Sequence, residues 1–198
     1  MQNLRKQRRR KTMKIDIIQK IYKIEEDVCI KNNRIEAWKH HILQVAKYSL
    51  LMAEKLEADK EIVEIAALLH DHASIINEEL YQDEHHIHGA RQADEILSEL
   101  NYPREKIDLV KKCIFSHRGS KAYEKLTNEE KCVADADAMA HINHIPSLLY
   151  WAYVEKEMDT EEGVKLVSNK IERSFNKMSK EAQEIMKEKY ELAQKILE

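Results

Sequence analysis

The sequence has very little glycine and proline, the residues that most often interrupt regular structure. Its 198 residues include three glycines and two prolines, whereas leucine, isoleucine, alanine, glutamate and lysine are abundant. These abundant residues favour helices, and a chain of this length can bury one sizeable core. The composition therefore predicts an all-α fold in a single domain.

Cysteine is scarce as well. Cys29, Cys113 and Cys132 are odd in number, far apart and without a Cys-x-x-Cys pair. Neither a disulfide framework nor a zinc knuckle is therefore indicated. We expect a protein of the reducing cytoplasm.

The chain also lacks an excess of one charge and lacks long apolar runs. Its net charge is −3, which gives no general attraction to nucleic acid or membranes. No apolar run approaches the roughly 20 residues of a membrane span, and no leader of charged and then apolar residues is evident. We do not expect a membrane or nucleic-acid partner.

One basic run, residues 1–13, stands apart from this mixed charge. Such a run could bind RNA phosphates, but we interpret it as a disordered, solvated N-terminal tail. We expect residues 14–198 to form a single all-helical domain. Its core should span residues 35–152, and its C-terminal helices residues 153–198.

An apolar helical stretch, residues 66–69, ends on the adjacent pair His70 and Asp71. An imidazole and a carboxylate at the buried end of a helix are costly to desolvate unless each has a partner. A metal ion is a partner that satisfies both. We therefore predict that His70 and Asp71 bind a metal and take part in catalysis, whereas His72 lies where the helix breaks into a polar loop.

A preceding helix, predicted over residues 35–56, carries His40 and His41. His41 lies four residues before Val45 and shares its inward face, whereas His40 points about 100° away. An inward histidine can be a hydrogen-bonded core residue, but the nearby His-Asp pair favours a ligand. His41 is therefore a predicted metal ligand.

A later helix, predicted over residues 128–144, carries two aspartates. Asp137 shares its face with small residues that permit close approach of another helix, and we expect Asp135 to point outwards. Asp137 is therefore the fourth predicted metal ligand. His141, one turn later, could orient Asp137 or hydrogen-bond within the core.

Histidines and cations between these helices are candidates for substrate contacts. Of the group His85, His86 and His88, we choose His88 because Arg91 follows it on the same side of a helix; a solvent-exposed cluster is the alternative. A second set, at the end of a later helix and in its following loop, consists of His117, Arg118 and Lys121. We expect the helices after residue 144 to cover the core.

The four predicted ligands, His41, His70-Asp71 and Asp137, occur in the order His, His-Asp, Asp. This order resembles the HD superfamily of metal-dependent phosphohydrolases over approximately residues 35–152. Further stretches, residues 116–120, 126–131 and 134–137, are similar to small, stand-alone bacterial members, which include nucleoside triphosphate pyrophosphohydrolases. The resemblance implies a compact multi-helix bundle with the metal site between its central helices.

The resemblance also implies a mechanism. One divalent ion would activate water for attack on a nucleotide or a related phosphate ester. Mixed nitrogen and oxygen ligands suit manganese, iron, cobalt or nickel, with zinc and magnesium as alternatives. Arg91, Arg118 and Lys121 are the candidate clamps on the remaining phosphate oxygens.

His88 and His117 leave alternatives open. They could contact the substrate, or they could join Asp71 to hold a second metal ion, as in HD proteins with two irons. A two-iron site favours a dinucleoside polyphosphate hydrolase or an oxygenase. A third interpretation is a non-catalytic, nucleotide-binding HD domain. The expected partner of the hydrolase is a small phosphorylated molecule, and a homodimer is left open.

Overall fold

The computed structural model describes residues 2–81, 83–118 and 124–197, with side-chain detail from residue 16 onwards. Within these ranges the chain forms helices and turns and no strand, which confirms the predicted all-α fold. The α-helices, in chain order, are α1 (Gln2–Lys31), α2 (Ile35–Ala37), α3 (Leu43–Lys55), α4 (Lys60–Leu69), α5 (His72–Ile76), α6 (Glu78–Tyr81), α7 (His85–Glu99), α8 (Arg104–Ser116), α9 (Asn128–Asn143), α10 (Ile145–Tyr150), α11 (Thr160–Lys177) and α12 (Lys180–Ile196).

Two π-helical turns interrupt this series. The first, Trp38–Ile42, connects α2 to α3, and the second, Trp151–Glu155, follows α10. A π-helical turn is wider than an α-helical one and is found frequently at functional sites. Both turns contribute residues to the cavity described below.

Helices α4 and α9 form the centre of the bundle. Helix α4 is apolar on nearly all sides, and Ile62, Ile65, Leu68 and Leu69 have no exposed surface. Burial of each such side chain contributes about 1.5–3 kcal/mol. Helix α9 packs against α3, α4, α8, α11 and α12, and its alanines permit this close packing. The site residues of both helices are therefore held by rigid, buried elements.

Polar side chains define where the central helices begin. Asp59 accepts a hydrogen bond from the backbone N–H of Glu61 at the start of α4, and Thr127 accepts one from Glu130 at the start of α9. Each such cap contributes about 1 kcal/mol. These caps fix the first turns, and with them the directions in which the side chains of α4 and α9 point.

Helix α1 includes the basic N-terminal run in its backbone span. Farther along, Glu25 is fully buried and lies 2.6 Å from Nδ1 of His72 in α5. This contact attaches α1 to the bundle. The division into a tail of residues 1–13 and a domain of residues 14–198 stays a prediction. Across the described part of the chain, no helix is long and apolar enough to cross a membrane.

Candidate metal centre

His41 enters the site from the π-helical turn at Trp38–Ile42, and its side chain is 18% exposed. Its Nε2 atom lies 3.1 Å from Nε2 of His70 and 3.3 Å from Oδ2 of Asp71. The same nitrogen is 3.6 Å from Oδ1 of Asp137. The structure thus brings together the four side chains that the sequence analysis selected as ligands.

His70 and Asp71 occupy the bend between α4 and α5. His70 is fully buried, and its Nδ1 lies 2.7 Å from the carbonyl oxygen of Ala67. In the neutral ring Nδ1 donates to this oxygen, so the lone pair of Nε2 faces the site. Oδ2 of Asp71 lies 3.3 Å from that nitrogen. The fold therefore fixes both the orientation and the tautomer of His70.

Asp137 in α9 divides its two oxygens between different partners. Oδ1 lies 3.6 Å from Nε2 of His41 and 3.5 Å from Nε2 of His141. Oδ2 accepts a hydrogen bond from Nζ of Lys177 at 2.7 Å. One oxygen is thereby available to a metal ion, and the other is held by a lysine of α11.

Asp135, two residues earlier, points in another direction. It is 4% exposed and accepts hydrogen bonds from the backbone N–H and the hydroxyl of Ser179, at 2.8 and 2.5 Å. The expectation that Asp135 faces outwards was wrong, because α12 covers that side of α9. The two aspartates diverge, as their spacing on a helix requires.

The donor set fits a metal ion. Ligand atoms of His41, His70 and Asp71 lie within 4.8 Å of one another, and those of His41, Asp137 and His141 do the same. Two imidazole nitrogens 3.1 Å apart need a proton or a cation between them. Imidazole and carboxylate groups together suit a divalent first-row ion. These residues could therefore hold such an ion, whose identity stays a prediction.

A second group of ligand atoms shares Asp71. Oδ1 of Asp71 lies 3.8 Å from Nε2 of His85 and 3.8 Å from Nε2 of His117, and ligand atoms of the three residues all lie within 4.8 Å of one another. His117 directly follows α8 with its Nδ1 2.5 Å from the carbonyl oxygen of Ile114. Like His70, it therefore presents Nε2 to the site. Asp71 belongs to both groups of ligand atoms.

The histidine that reaches Asp71 from α7 is His85, whereas the sequence analysis chose His88. His88 packs against Tyr81, and its Nε2 lies 3.6 Å from Glu84. Because α7 begins at His85, its first turn faces the site, and His88 is rotated by about 60° towards α6. His85 is therefore the partner of His117 in the second group, a correction to the pairing expected from the sequence.

The remaining predicted substrate contacts have different positions. Arg91 is exposed and is not among the described residues that line the cavity beside the site. Arg118 does line this cavity, and its Nη2 lies 3.3 Å from Oδ1 of Asp83. Lys121 lies outside the described residues. The cavity has a volume of about 470 Å³ and includes His41, Asp71 and Asp137 in its walls.

Helix α11 forms one wall of the cavity, which the sequence analysis did not anticipate. Lys170, Arg173, Ser174 and Lys177 line it, and their i, i+3, i+4, i+7 spacing places them on one face. Ser174 Oγ lies 3.0 Å from Nδ1 of His141, and thus the same face also holds that histidine. The signal in the sequence was a stripe of cations on an amphipathic helix.

Charges within the site support one another despite their burial. Burial raises the pKa of Asp137, but Lys177, His141 and His41 together outweigh burial and hold that pKa well below its ordinary value. At Asp71, His70 and His41 together have the same effect. Burial lowers the pKa of His70, yet Asp71 and Asp137 raise it to about 9. Burial lowers the pKa of His117 to about 3. The carboxylates thus stay charged, and a cation must compete with a proton on His70.

A family model described as HD domain matches residues 38–142. The chain belongs to the HD-domain family. The match confirms the resemblance drawn from the sequence and spans all four predicted ligands. An HD domain whose His and Asp groups could hold a metal ion supports a metal-dependent phosphohydrolase in general terms.

Solved structures share this HD fold. Bacillus subtilis YpgQ is 21% identical with a TM-score of 0.69, and the similarity covers 93% of each chain. The structure of YpgQ in complex with ADP has a sequence identity of 22%, a TM-score of 0.69 and the same coverage. A predicted HD superfamily hydrolase from an uncultured Thermotogales bacterium is 24% identical, with a TM-score of 0.55 over 77% of this chain and 83% of that chain. At these identities the similarity concerns the fold. No curated protein sequence matches the chain.

Proposed function

We propose that this HD domain hydrolyses a nucleotide or a related phosphate compound with a divalent ion bound by His41, His70, Asp71 and Asp137. The observation that carries the proposal is the convergence of these side chains beside a cavity that is lined by cations. We favour a nucleoside triphosphate pyrophosphohydrolase. The similarity to small bacterial HD hydrolases supports this choice, as does the structure of YpgQ, which has the same fold, in complex with ADP.

Each residue has a distinct role in this proposal. A divalent ion held by His41, His70, Asp71 and Asp137 would lower the pKa of water from about 15.7 towards neutrality and offset negative charge on phosphate. Asp71 orients the water through Oδ1, which faces the cavity histidines. His117 presents Nε2 to the site, where it can accept a hydrogen bond from water or substrate. Arg118 is paired with Asp83, so its planar guanidinium would bind phosphate oxygens in exchange for that carboxylate.

The test combines metal analysis with a substrate screen. Protein purified without chelator is analysed for metal content and then assayed with manganese and a set of nucleotides for release of phosphate and pyrophosphate. We expect at least one ion per chain and pyrophosphate as product. Asp71→Asn should lose both metal and activity. Asp135→Asn is the matched control, because this buried aspartate faces Ser179 and should keep both.

A second candidate function is favoured by the group Asp71, His85 and His117. Two ions per chain with phosphate release would indicate a dinuclear hydrolase, for which dinucleoside polyphosphates are the first substrates to test. Two irons per chain, oxygen consumption and no phosphate product would indicate an oxygenase. An assay without oxygen separates these activities, because hydrolysis continues under those conditions. Nucleotide binding with no turnover would instead indicate a non-catalytic HD domain.

A further inference from the structure

Two lysines on the cavity face of α11, Lys170 and Lys177, have different surroundings. Lys177 lies 2.7 Å from Oδ2 of Asp137, and this contact neutralises its charge. The contact also leaves Oδ1 of Asp137 directed towards His41. Because groups that hydrogen-bond to metal ligands fix their orientation, the geometry gives Lys177 the role of orienting Asp137.

Lys170 has no comparable partner. Within the described part of the chain, no carboxylate lies within ion-pair distance of its ammonium group; its contact is with the face of Trp151, where Nζ is 6.0 Å from the ring centroid. An aromatic face attracts a cation but does not neutralise it. Burial lowers the pKa of Lys170, so the charged form lacks full solvation, and a bound anion would compensate for this loss.

Two other cations of the cavity differ from Lys170 because each is paired with a carboxylate. Arg34 is bonded to both Glu78 and Glu155, and Arg118 to Asp83. Their charges are therefore matched by carboxylates of the protein. An incoming anion would have to compete with those carboxylates for the same donors.

Arg173 extends the face that begins at Lys170. It lies one turn later, lines the same cavity, and donates from Nε to the carbonyl oxygen of Asn169 at 3.2 Å. This bond fixes the base of the guanidinium group, while its terminal nitrogens have no carboxylate partner among the described residues. Lys170 and Arg173 thus present two cations to a cavity that also contains the metal-ligand carboxylates.

We propose that Lys170 and Arg173 bind the phosphate chain of the substrate, and that Lys177 is a positioning residue for the metal ligand Asp137. The first part rests on the proposed function and adds a dedicated anion-binding wall on α11. The second part concerns a side chain that the substrate does not touch. The first part predicts that loss of Lys170 weakens substrate binding and leaves metal affinity unchanged. The second part predicts that loss of Lys177 weakens metal binding.

The test measures binding without turnover. The probe is the α,β-methylene analogue of ADP, titrated calorimetrically at one fixed manganese concentration. Lys170→Met should weaken its binding by roughly tenfold or more, since a charge-assisted hydrogen bond is lost, with metal affinity unchanged. Lys165→Met is the matched control, because Lys165 is an exposed lysine of the same helix outside the cavity wall; its binding should equal that of the wild type.

Lys177→Met should instead weaken manganese binding by roughly tenfold or more, with the fold retained. Lys177→Arg should restore part of that affinity, because it retains a cation beside Asp137. Full manganese affinity in Lys177→Met would overturn the positioning role. Circular dichroism checks the fold of each variant, and Lys170→Gln is the substitute should Lys170→Met be unfolded.

Wild-type affinity for the analogue in Lys170→Met, or no binding of it by the wild type, would overturn the anion-binding wall. Failure of the proposed function gives a different result. In that case the wild type binds the analogue through Lys170, but no nucleotide releases phosphate or pyrophosphate.

Discussion

Single residues at the centre are prepared for metal binding by their backbone neighbours. His70 and His117 each place Nδ1 against a carbonyl oxygen three residues earlier, that of Ala67 and that of Ile114. Both rings therefore present Nε2 in its unprotonated form when they are neutral. The same local arrangement at the ends of α4 and α8 thus produces two potential metal-binding nitrogens, one on either side of Asp71.

The two histidines in the first turn of α7 provide a residue-scale prediction. His85→Ala should lose the metal ion from the group that includes Asp71 and His117, because Nε2 of His85 lies 3.8 Å from Oδ1 of Asp71. We expect activity to fall at least tenfold. His88→Ala should retain most activity, because His88 contacts Tyr81 and Glu84. Metal content and initial rates of the two variants provide the measurement.

Equal losses in both variants would contradict this assignment. Such a result would mean that His88 moves to the site when substrate binds. A His85→Ala protein with normal metal content and a normal rate would also count against the second group, and would leave His85 with a packing role beside His117.

The order of His41, His70, Asp71 and Asp137 could be read from the sequence because each lies on a strongly apolar helical face. The choice between His85 and His88 could not, since it depends on where α7 begins and how it is rotated. Lys170 and Lys177 were missed for another reason. The stripe of cations on α11 does not show which element it faces, and the partner of Lys177, Asp137, lies 40 residues earlier in the chain.

Helices of this protein are joined by polar contacts as well as by the apolar core. Glu25 of α1 is fully buried, and one of its oxygens lies 2.6 Å from Nδ1 of His72. His72 is the residue after Asp71, so this contact supports the bend that carries the metal ligand. A buried pair of this kind is costly to break at one end.

Glu25→Leu should therefore destabilise the protein by about 3 kcal/mol, because it leaves His72 buried without its partner. The double variant Glu25→Leu/His72→Phe should recover most of this loss, since neither polar group remains. Urea unfolding measures both effects. A loss below about 1 kcal/mol in the single variant would show that the pair contributes little to the attachment of α1.

Helices α7 and α8 are joined through Asp94, which binds both guanidinium nitrogens of Arg104 and also Lys111. The hydrogen bond from Arg104, followed by that from Lys111, lowers the pKa of Asp94 below its ordinary value of 3.8. The resulting stability is therefore fully present above about pH 4 and is lost as the pH falls further.

We expect Asp94→Asn to lower stability at pH 7 by about 1 kcal/mol, which corresponds to roughly 2–4 °C in melting temperature. The difference from the wild type should shrink below about pH 4, where Asp94 of the unfolded wild-type chain begins to be protonated while the folded protein keeps its carboxylate charged. Thermal melts at pH 7 and pH 3 make the comparison. An undiminished difference at pH 3 would assign the effect to packing instead of charge.

The whole molecule should respond to metal, because the ligands come from the bend after α4, from α9 and from the first π-helical turn. An ion that binds the folded protein at 100 times its dissociation constant adds about 2.7 kcal/mol. For a chain of this size that is roughly 5–10 °C in melting temperature. Addition of manganese to chelator-treated protein should produce this rise, measured by calorimetry.

Asp71→Asn provides the control, since it should melt at the same temperature with and without manganese. An equal rise in that variant would assign the stabilisation to ions bound elsewhere. A wild type that does not respond to manganese, iron, cobalt, nickel or zinc would contradict the metal centre as a whole.

At this scale the sequence predicted the architecture well. The shortage of glycine and proline indicated an all-α chain, and the ordered His and Asp residues indicated the HD family. The cavity wall formed by α11 was not predictable in the same way. It arises because α11 and α12 pack on α9, and the order of elements along the chain does not specify which faces meet.

The junction between α11 and α12 is fastened to α9 on both sides, through Lys177 to Asp137 and Ser179 to Asp135. This has a consequence for the order of events during synthesis. A ribosome adds about 5–20 residues per second, so the 40 residues between Asp137 and Lys177 take about 2–8 s. Throughout that interval the nascent chain carries all four ligands but lacks the lysine that orients one of them. The centre should therefore mature only after α11 has emerged.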